Sequence, residues 1–242
     1  MRSRSPSSWS PIEAAPALSN DLYELMRCVP STRRFTADPV PRELLERVLE
    51  NARFAPSGGN RQGWRVVVVT DPDTRRRLRE YYEAPWNRYM EQTGGRAALD
   101  AGESSGVPAG RLRMLRHADE FAHNFDQVPV HLLPCVELDA LAIVDSSLSR
   151  PSIVGGASIY PFVQNVLLGL RAEGLGAAFT TLLTPAEDEV CALLGIPEGV
   201  ALAGHISVGY RADPWPKRLR RNPVDQFTFG ERYGQPWADT ER

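Results

Sequence analysis

Between residues 41 and 70 a helix-period run, a two-glycine loop and a β-branched run follow one another without a spacer. This stretch restricts the chain more than any other. In PRELLERVLENARFAPSGGNRQGWRVVVVT the apolar residues Leu44, Leu45, Val48, Leu49 and Ala52 recur at the spacing of one helix face. The helix is expected to start near Pro41, whose fixed φ suits a first turn, and to end by Pro56. Residues 65–70 then read as a short buried strand, closed by the turn residues Asp71 and Pro72.

The same alternation continues along the chain. Residues 18–28 suggest a short helix with Leu18, Leu22, Leu25 and Met26 on one side, stopped by Pro30. Residues 73–90 suggest a helix with an aromatic side of Tyr81, Tyr82 and Trp86. Residues 93–110, rich in Gly, Ser and Ala, read as part of a lid-like insert spanning about 73–125. A second strand is expected over 128–137, at an edge or bulged because of Pro134. A helix over 158–173 carries Val163, Val166, Leu167 and Leu170 on one face and stops at Gly174. A third strand follows over 176–181. The sequence Thr184-Pro185-Ala186-Glu187 has the pattern of a capping box for a helix ending at Gly195. A half-buried fourth strand is expected over 201–208. Helices alternating with strands favour an α+β or α/β sandwich over a bundle or a sheet-only fold.

Net charge narrows the function classes. The 28 Lys and Arg against 30 Asp and Glu leave a formal charge of -2, so the chain has no bulk attraction for nucleic acid or an anionic membrane. The cluster Arg75-Arg76-Arg77 reads as a solvated face. Cys28, Cys135 and Cys191 are isolated and odd in number, which suits reduced thiols in the cytoplasm. The four histidines form no metal-ligand spacing, and His131 and His205 lie in apolar runs as expected satisfied core or interface residues. No apolar run is long enough to span a membrane. Residues 1–16 lack the apolar stretch of a secretory signal and are expected to be a mostly disordered tail ahead of a single domain over 17–242.

Neither a nucleophile elbow nor a dinucleotide fingerprint is present in the required context. What remains is a set of polar groups at the ends of elements: Ser31, Arg33 and Arg34; Ser57, Gly58, Gly59, Asn60 and Gln62; Thr180 and Thr181; Arg220 and Arg221. Guanidinium forks suit phosphate. Glycines let backbone N–H groups approach a flat or anionic ligand. Hydroxyls and amides can read the edge of a heteroaromatic ring. Together the set suits a ligand with a ring and a phosphate.

Four blocks in order resemble the nitroreductase family of FMN-dependent oxidoreductases: STRRFTADPVP at 31–41, APSGGNRQGWRVVVV from 55, SIYPFVQNVLLGLRAEGLGAAFTTLL from 158, and LLGIPEGVALAGHISVGYRADP followed by LRRNPVDQF. The resemblance covers about residues 20–227. It implies an α+β three-layer sandwich, with a central, mostly antiparallel sheet flanked by helices, assembled as an intertwined homodimer with FMN at the interface. It implies that Ser31 and Arg33 contact the flavin, with the cation near the N1–C2 edge. By the same resemblance Ser57, Gly58 and Asn60 lie against the ring or ribityl chain, Phe179, Thr180 and Thr181 pass N5, and Arg221 with Arg220 holds the phosphate, with Arg27, Arg34 or Arg220 in place of the family's leading arginines. Two positions depart from the family pattern. Val29 and Pro30 stand where the family has arginines, and Gly63 stands for a proline, which is expected to leave the turn freer. The Thr180-Thr181 pair is similar to the threonine run of the superfamily's flavin-dependent dehalogenases, but no substrate-clamping polar set is legible in 73–125.

The resemblance therefore implies NAD(P)H as co-substrate and a nitroaromatic, quinone or enone as acceptor, in a ping-pong cycle with no catalytic side chain. The alternatives are an oxygen-reoxidised oxidase or dehydrogenase of a biosynthetic intermediate, and a non-catalytic flavin-binding protein.

Overall fold

A computed structural model describes residues 21–237; the expected tail at 1–16 and Leu18 lie outside the described residues. The elements are α1 (Leu22–Arg27), α2 (Arg42–Ala52), β1 (Trp64–Val69), α3 (Pro72–Gln92), α4 (Gly95–Ala101), α5 (Ala109–His123), β2 (Val130–Glu137), α6 (Tyr160–Ala172), β3 (Gly176–Thr180), α7 (Glu187–Leu194), β4 (Val200–Leu202) and β5 (His205–Gly209). The strands form one antiparallel sheet in the order β1-β2-β5-β3, with β4 also paired to β2.

Side chains of a strand alternate between its two faces, and in β2 this splits the core in two. Val130, Leu132 and Val136 pack with Leu45, Val48 and Ala52 of α2 and with Val163, Val166 and Leu170 of α6. Leu133 and Cys135 pack with Leu78, Tyr82, Trp86 and Met90 of α3 and with Phe121 and Ala122 of α5. Helices on both faces of an antiparallel sheet give the expected α+β sandwich.

Several local expectations change. Pro134 does not mark an edge, because β2 is paired on both sides. Glu137 N–H donates to Gly63 O on the β1 side, while Pro134 O accepts from Ala203 N–H on the other. Alternation therefore aims the missing proline N–H at the junction between β4 and β5, where the partner chain breaks anyway. For the same reason the single strand expected over 201–208 is two, and β5 is buried throughout rather than half-buried. The strand expected to be buried, β1, is the edge, with Arg65 and Val68 exposed. Pro41 occupies the N-cap of α2 rather than its first turn. The capping box does not form. Thr184 Oγ1 donates to Thr181 O, and Glu187 instead accepts from Leu202 N–H, tying α7 to β4.

The insert is ordered into helices rather than a loose glycine-rich loop. Asp119 on α5 receives both Arg96 Nη1 and Nη2 from α4, at 3.0 and 2.9 Å, and Trp86 Nε1 from α3 at 2.8 Å. Burial opposes ionisation of Asp119, but these hydrogen bonds outweigh it and hold the carboxyl below its ordinary range. Arg75 is not a solvated side chain either: its Nη1 donates to Val128 O at 2.5 Å.

Gly63 is buried and confined, not free. A Cβ built there would lie 2.4 Å from the Ala140 Cβ. Gly63→Ala is expected to lower stability by about 1–3 kcal/mol. An unchanged urea midpoint would show instead that Ala140 yields at no cost.

Candidate functional site

Residues 31–36 are added alongside the sheet. Thr32 N–H donates to Ala177 O at 2.7 Å, Ser31 bridges Ala177 in parallel, and Thr36 N–H donates to Tyr210 O at 2.9 Å. Thr32 is fully buried. The approach requires Gly176, since a Cβ there would lie 2.8 Å from the Thr32 side chain. This pairing fixes Ser31 and Arg33 at the β3 edge. Arg33 forms no ion pair among the described residues. Arg34 does: its Nη1 lies 2.8 Å from Asp213 Oδ1.

The C-terminal segment returns to the same region. Leu219 N–H donates to Arg27 O at 2.8 Å, which brings residues 218–221 against the end of α1. Arg27, Arg218, Arg220 and Arg221 line a cleft of about 670 Å³, and none of them has a carboxylate partner among the described residues. Arg221 also reaches an adjoining cleft of about 190 Å³ formed with Ser31, Gln164, Leu167, Leu168 and Phe179.

β3 ends at this cleft. The Phe179 ring meets Tyr160 edge-on at 6.0 Å. Thr180 Oγ1 accepts from Leu182 N–H at 3.2 Å, and Thr181 is exposed. Burial pushes the Tyr82 phenol up to about 12, opposed by the Thr180 hydroxyl and the Arg33 charge.

The loop at 57–62 is held by hydrogen bonds within it and by one to Ser158. Gly58 N–H donates to Ser158 Oγ at 3.1 Å, Gln62 N–H to Ser57 Oγ at 3.0 Å, and Gln62 Nε2 to Asn60 Oδ1 at 3.2 Å. Gly59, Asn60 and Gln62 all have positive φ, at 59°, 53° and 52°. A glutamine held in that region is a local strain that the surroundings must enforce. Behind the loop Trp64 stacks on Phe162 of α6 at 5.1 Å.

One chain thus gathers Ser31, Phe179 and Arg221 about one cleft, with Arg33 and Thr180 beside it. Arg220 lines the neighbouring one, Arg34 is engaged by Asp213, and Ser57, Gly58 and Asn60 line neither cleft. Gln164 was missed by sequence reasoning; its spacing to Leu167 and Leu168 (i+3, i+4) is the signal that could have found it. Tyr82 was read only as part of an aromatic side. Among the described residues no cluster of three His, Cys, Asp or Glu could hold a metal, and no helix is long and apolar enough to cross a membrane.

Residues 30–210 match the model of the nitroreductase family. The chain belongs to the nitroreductase family. Within it, the chain is 33% identical over 183 residues to an NADH dehydrogenase of Thermus thermophilus, covering 76% of this chain and 83% of that one. It is 40% identical over 195 residues to an iodotyrosine deiodinase of Danio rerio, covering 80% of this chain and 61% of that protein. A crystal structure of an oxidised iodotyrosine deiodinase bound to FMN and 3-iodo-L-tyrosine superposes with a TM-score of 0.62. It shares 27% identity over 86% of this chain and 98% of that one. The family's sandwich is the fold described above.

Proposed function

We propose that this nitroreductase-family chain is an FMN-dependent oxidoreductase that uses NAD(P)H to reduce an electron-poor small molecule by a ping-pong cycle. In this reading it works as a cytoplasmic homodimer. The observation that carries the reading is the meeting of Arg221, which has no carboxylate partner among the described residues, with Ser31 and an apolar floor of Leu167, Leu168 and Phe179; Arg33, likewise without an ion pair, lines the next cleft, which shares Ser31. That donor set fits a flat ring carrying a phosphate. Arg221, with Arg220, Arg218 and Arg27 around it, would hold the phosphate. Ser31 and Arg33 would meet the ring's electron-rich edge, where a cation favours negative charge. The Thr180 and Thr181 hydroxyls offer hydrogen bonds at the reactive side. When bound, FMN supplies reversible hydride acceptance and donation, so no side chain has to form or break a covalent bond.

A second copy completes the site in this reading. The cleft of about 190 Å³ is smaller than the roughly 300–1,000 Å³ typical of ligand pockets. Leu22, Tyr23 and Met26 of α1 are half or more exposed, as is Phe227, an apolar surface that a partner would cover. The preformed loop of Ser57, Gly58 and Asn60 would then close over the flavin from the second chain. All three cysteines are free, in keeping with a reducing compartment.

A second reading is reductive dehalogenation of a halogenated aromatic acid, favoured by the Thr180-Thr181 pair and by the deiodinase similarity. Halide release from 3-iodo-L-tyrosine separates the two.

The absorbance spectrum of the purified protein before and after anaerobic NADPH tests the first reading. A yellow protein that bleaches and then turns over a nitroaromatic is expected; a colourless protein that cannot be loaded with FMN would end it. Arg221→Ala is expected to weaken FMN binding about 10- to 100-fold, the loss of a charge-assisted hydrogen bond. An unchanged dissociation constant by fluorescence titration would move the phosphate elsewhere.

A further inference from the structure

Helix α5 presents Gly110, Arg113, Met114 and His117 to a cleft of about 200 Å³ whose opposite wall is Ser31, Arg33, Arg34, Arg211 and Asp213. The spacing i, i+3, i+4, i+7 places all four α5 residues on one helix face. Gly110 adds no bulk, and a Cβ built there would meet nothing within 4 Å, so this end of the cleft is open. Four arginines line the space against a single carboxylate. Asp213 is already committed, to Arg34 at 2.8 Å and to Arg211 at 3.9 Å. Arg211 also donates to Thr32 Oγ1. Arg33 and Arg113 are left without any ion pair among the described residues. One turn further along α5, and just past its end, the character changes. Glu120, Asn124 and Gln127 line the adjoining cleft on the other side of Arg33 and Arg34. An incoming anion is therefore favoured at the Arg113 end, with four arginines and one carboxylate, over the Glu120 end, where Glu120 faces Arg33 and Arg34 alone.

We propose that α5 is a specificity element: Arg113, with His117 beside it, receives the anionic group of a substrate whose reacting end lies over Ser31 and Arg33. The group is a carboxylate or a phosphate monoester. It has two possible carriers, the 2′-phosphate of the reduced nicotinamide donor and an acid function on the acceptor. The inference rests on the proposed flavin site at Ser31 and Arg33 and adds to it the charge class of what is reduced there. Arg113 is exposed on its helix and forms no hydrogen bond or ion pair with Ser31 or Arg33, so its replacement is expected to leave flavin binding intact, which the flavin absorbance of each variant checks.

The test compares Arg113→Glu, Arg113→Gln and Arg113→Lys with the wild-type holoenzyme. Two matched substrate pairs serve as probes: NADPH against NADH, and 4-nitrobenzoate against 4-nitrobenzamide. In Arg113→Glu the kcat/KM for one anionic member is expected to fall about tenfold while that for its matched partner holds within about twofold. Arg113→Gln gives a smaller effect in the same direction, and Arg113→Lys restores most of the loss. The pair that responds identifies the carrier. Calorimetric titration with 4-nitrobenzoate and with 2′-phospho-AMP reads binding without turnover and is expected to show the same order of variants. Ratios of kcat/KM for NADPH over NADH and for 4-nitrobenzoate over 4-nitrobenzamide that both stay within about threefold of wild type, with unchanged calorimetric constants, would overturn the proposal. If the wild-type protein holds no flavin, the proposed function fails, yet the calorimetric arm still decides whether the cleft binds anions.

Discussion

Below about pH 6.5 the protein is expected to lose stability at a slope approaching about 2.7 kcal/mol per pH unit, two protons' worth, through a histidine pair in its core. His131 and His205 are both fully buried, with His131 Nδ1 2.8 Å from His205 Nε2. His131 Nε2 faces Phe125 O at 3.1 Å and must donate to it, so His131 Nδ1 is an acceptor and His205 Nε2 carries the proton between the rings. Ser207 Oγ, 3.4 Å from His131 Nδ1, can only reinforce that arrangement. His205 Nδ1 is then an acceptor with no partner among the described residues, so of the two histidines expected to be satisfied in the core or at an interface, only His131 has both ring nitrogens bonded there. A further proton would place a charge in an apolar layer among Phe125 and Tyr82. Burial pushes His131 down to about 3, and burial and the neighbouring ring push His205 well below its ordinary value. Both groups are thus harder to protonate folded than unfolded. Their contribution is complete above the unfolded value near 6.5 and is lost as pH falls from there towards 3. Urea melts at pH 7, 6 and 5 measure it. The double variant His131→Phe, His205→Leu is expected to flatten the profile, and a wild-type stability that is level from pH 7 to 5 would refute the assignment.

The pair also shows what a sequence conveys and what it withholds. Periodicity is local, so the run of α2, the glycine loop and β1 was legible, as was the face of α6. Position within the sheet is not local. Nothing in RVVVV says that β1 is an edge, and nothing near residue 203 says that a strand breaks there to face a proline at 134. The insert was misread for a related reason. Its Gly, Ser and Ala composition suits a loop, but the clasp that orders it is Asp119, more than twenty residues from Arg96. The candidate site divides in the same way. Ser31, Phe179 and Arg221 were legible as ordered motifs, and the structure gathers them because Thr32 pairs with Ala177 and Leu219 with Arg27. The engagement of Arg34 by Asp213, and the face that α5 turns towards Arg33, depend on packing between elements far apart in the chain. No local pattern encodes them.

Gly204→Ala is expected to destabilise the protein by about 2–5 kcal/mol and to deform the candidate site with it. Gly204 sits at the break between β4 and β5 with φ of 150°, a conformation that residues with a side chain rarely adopt. A Cβ there would lie 2.5 Å from the Phe179 ring and 3.1 Å from Thr180 O. The glycine therefore serves two ends. It lets the chain turn where Pro134 withholds a hydrogen bond, and it leaves room for Phe179 against the cleft of Ser31 and Arg221. Gly199 separates these effects. Its φ is 83° and a Cβ there meets nothing within 4 Å, so Gly199→Ala carries backbone strain alone. Thermal melting is expected to place Gly199→Ala between wild type and Gly204→Ala. Under the proposed function, only Gly204→Ala should lose FMN on dialysis, because only it displaces Phe179. Equal retention by the two variants would show that the Phe179 ring does not support the flavin, whatever the two melts give.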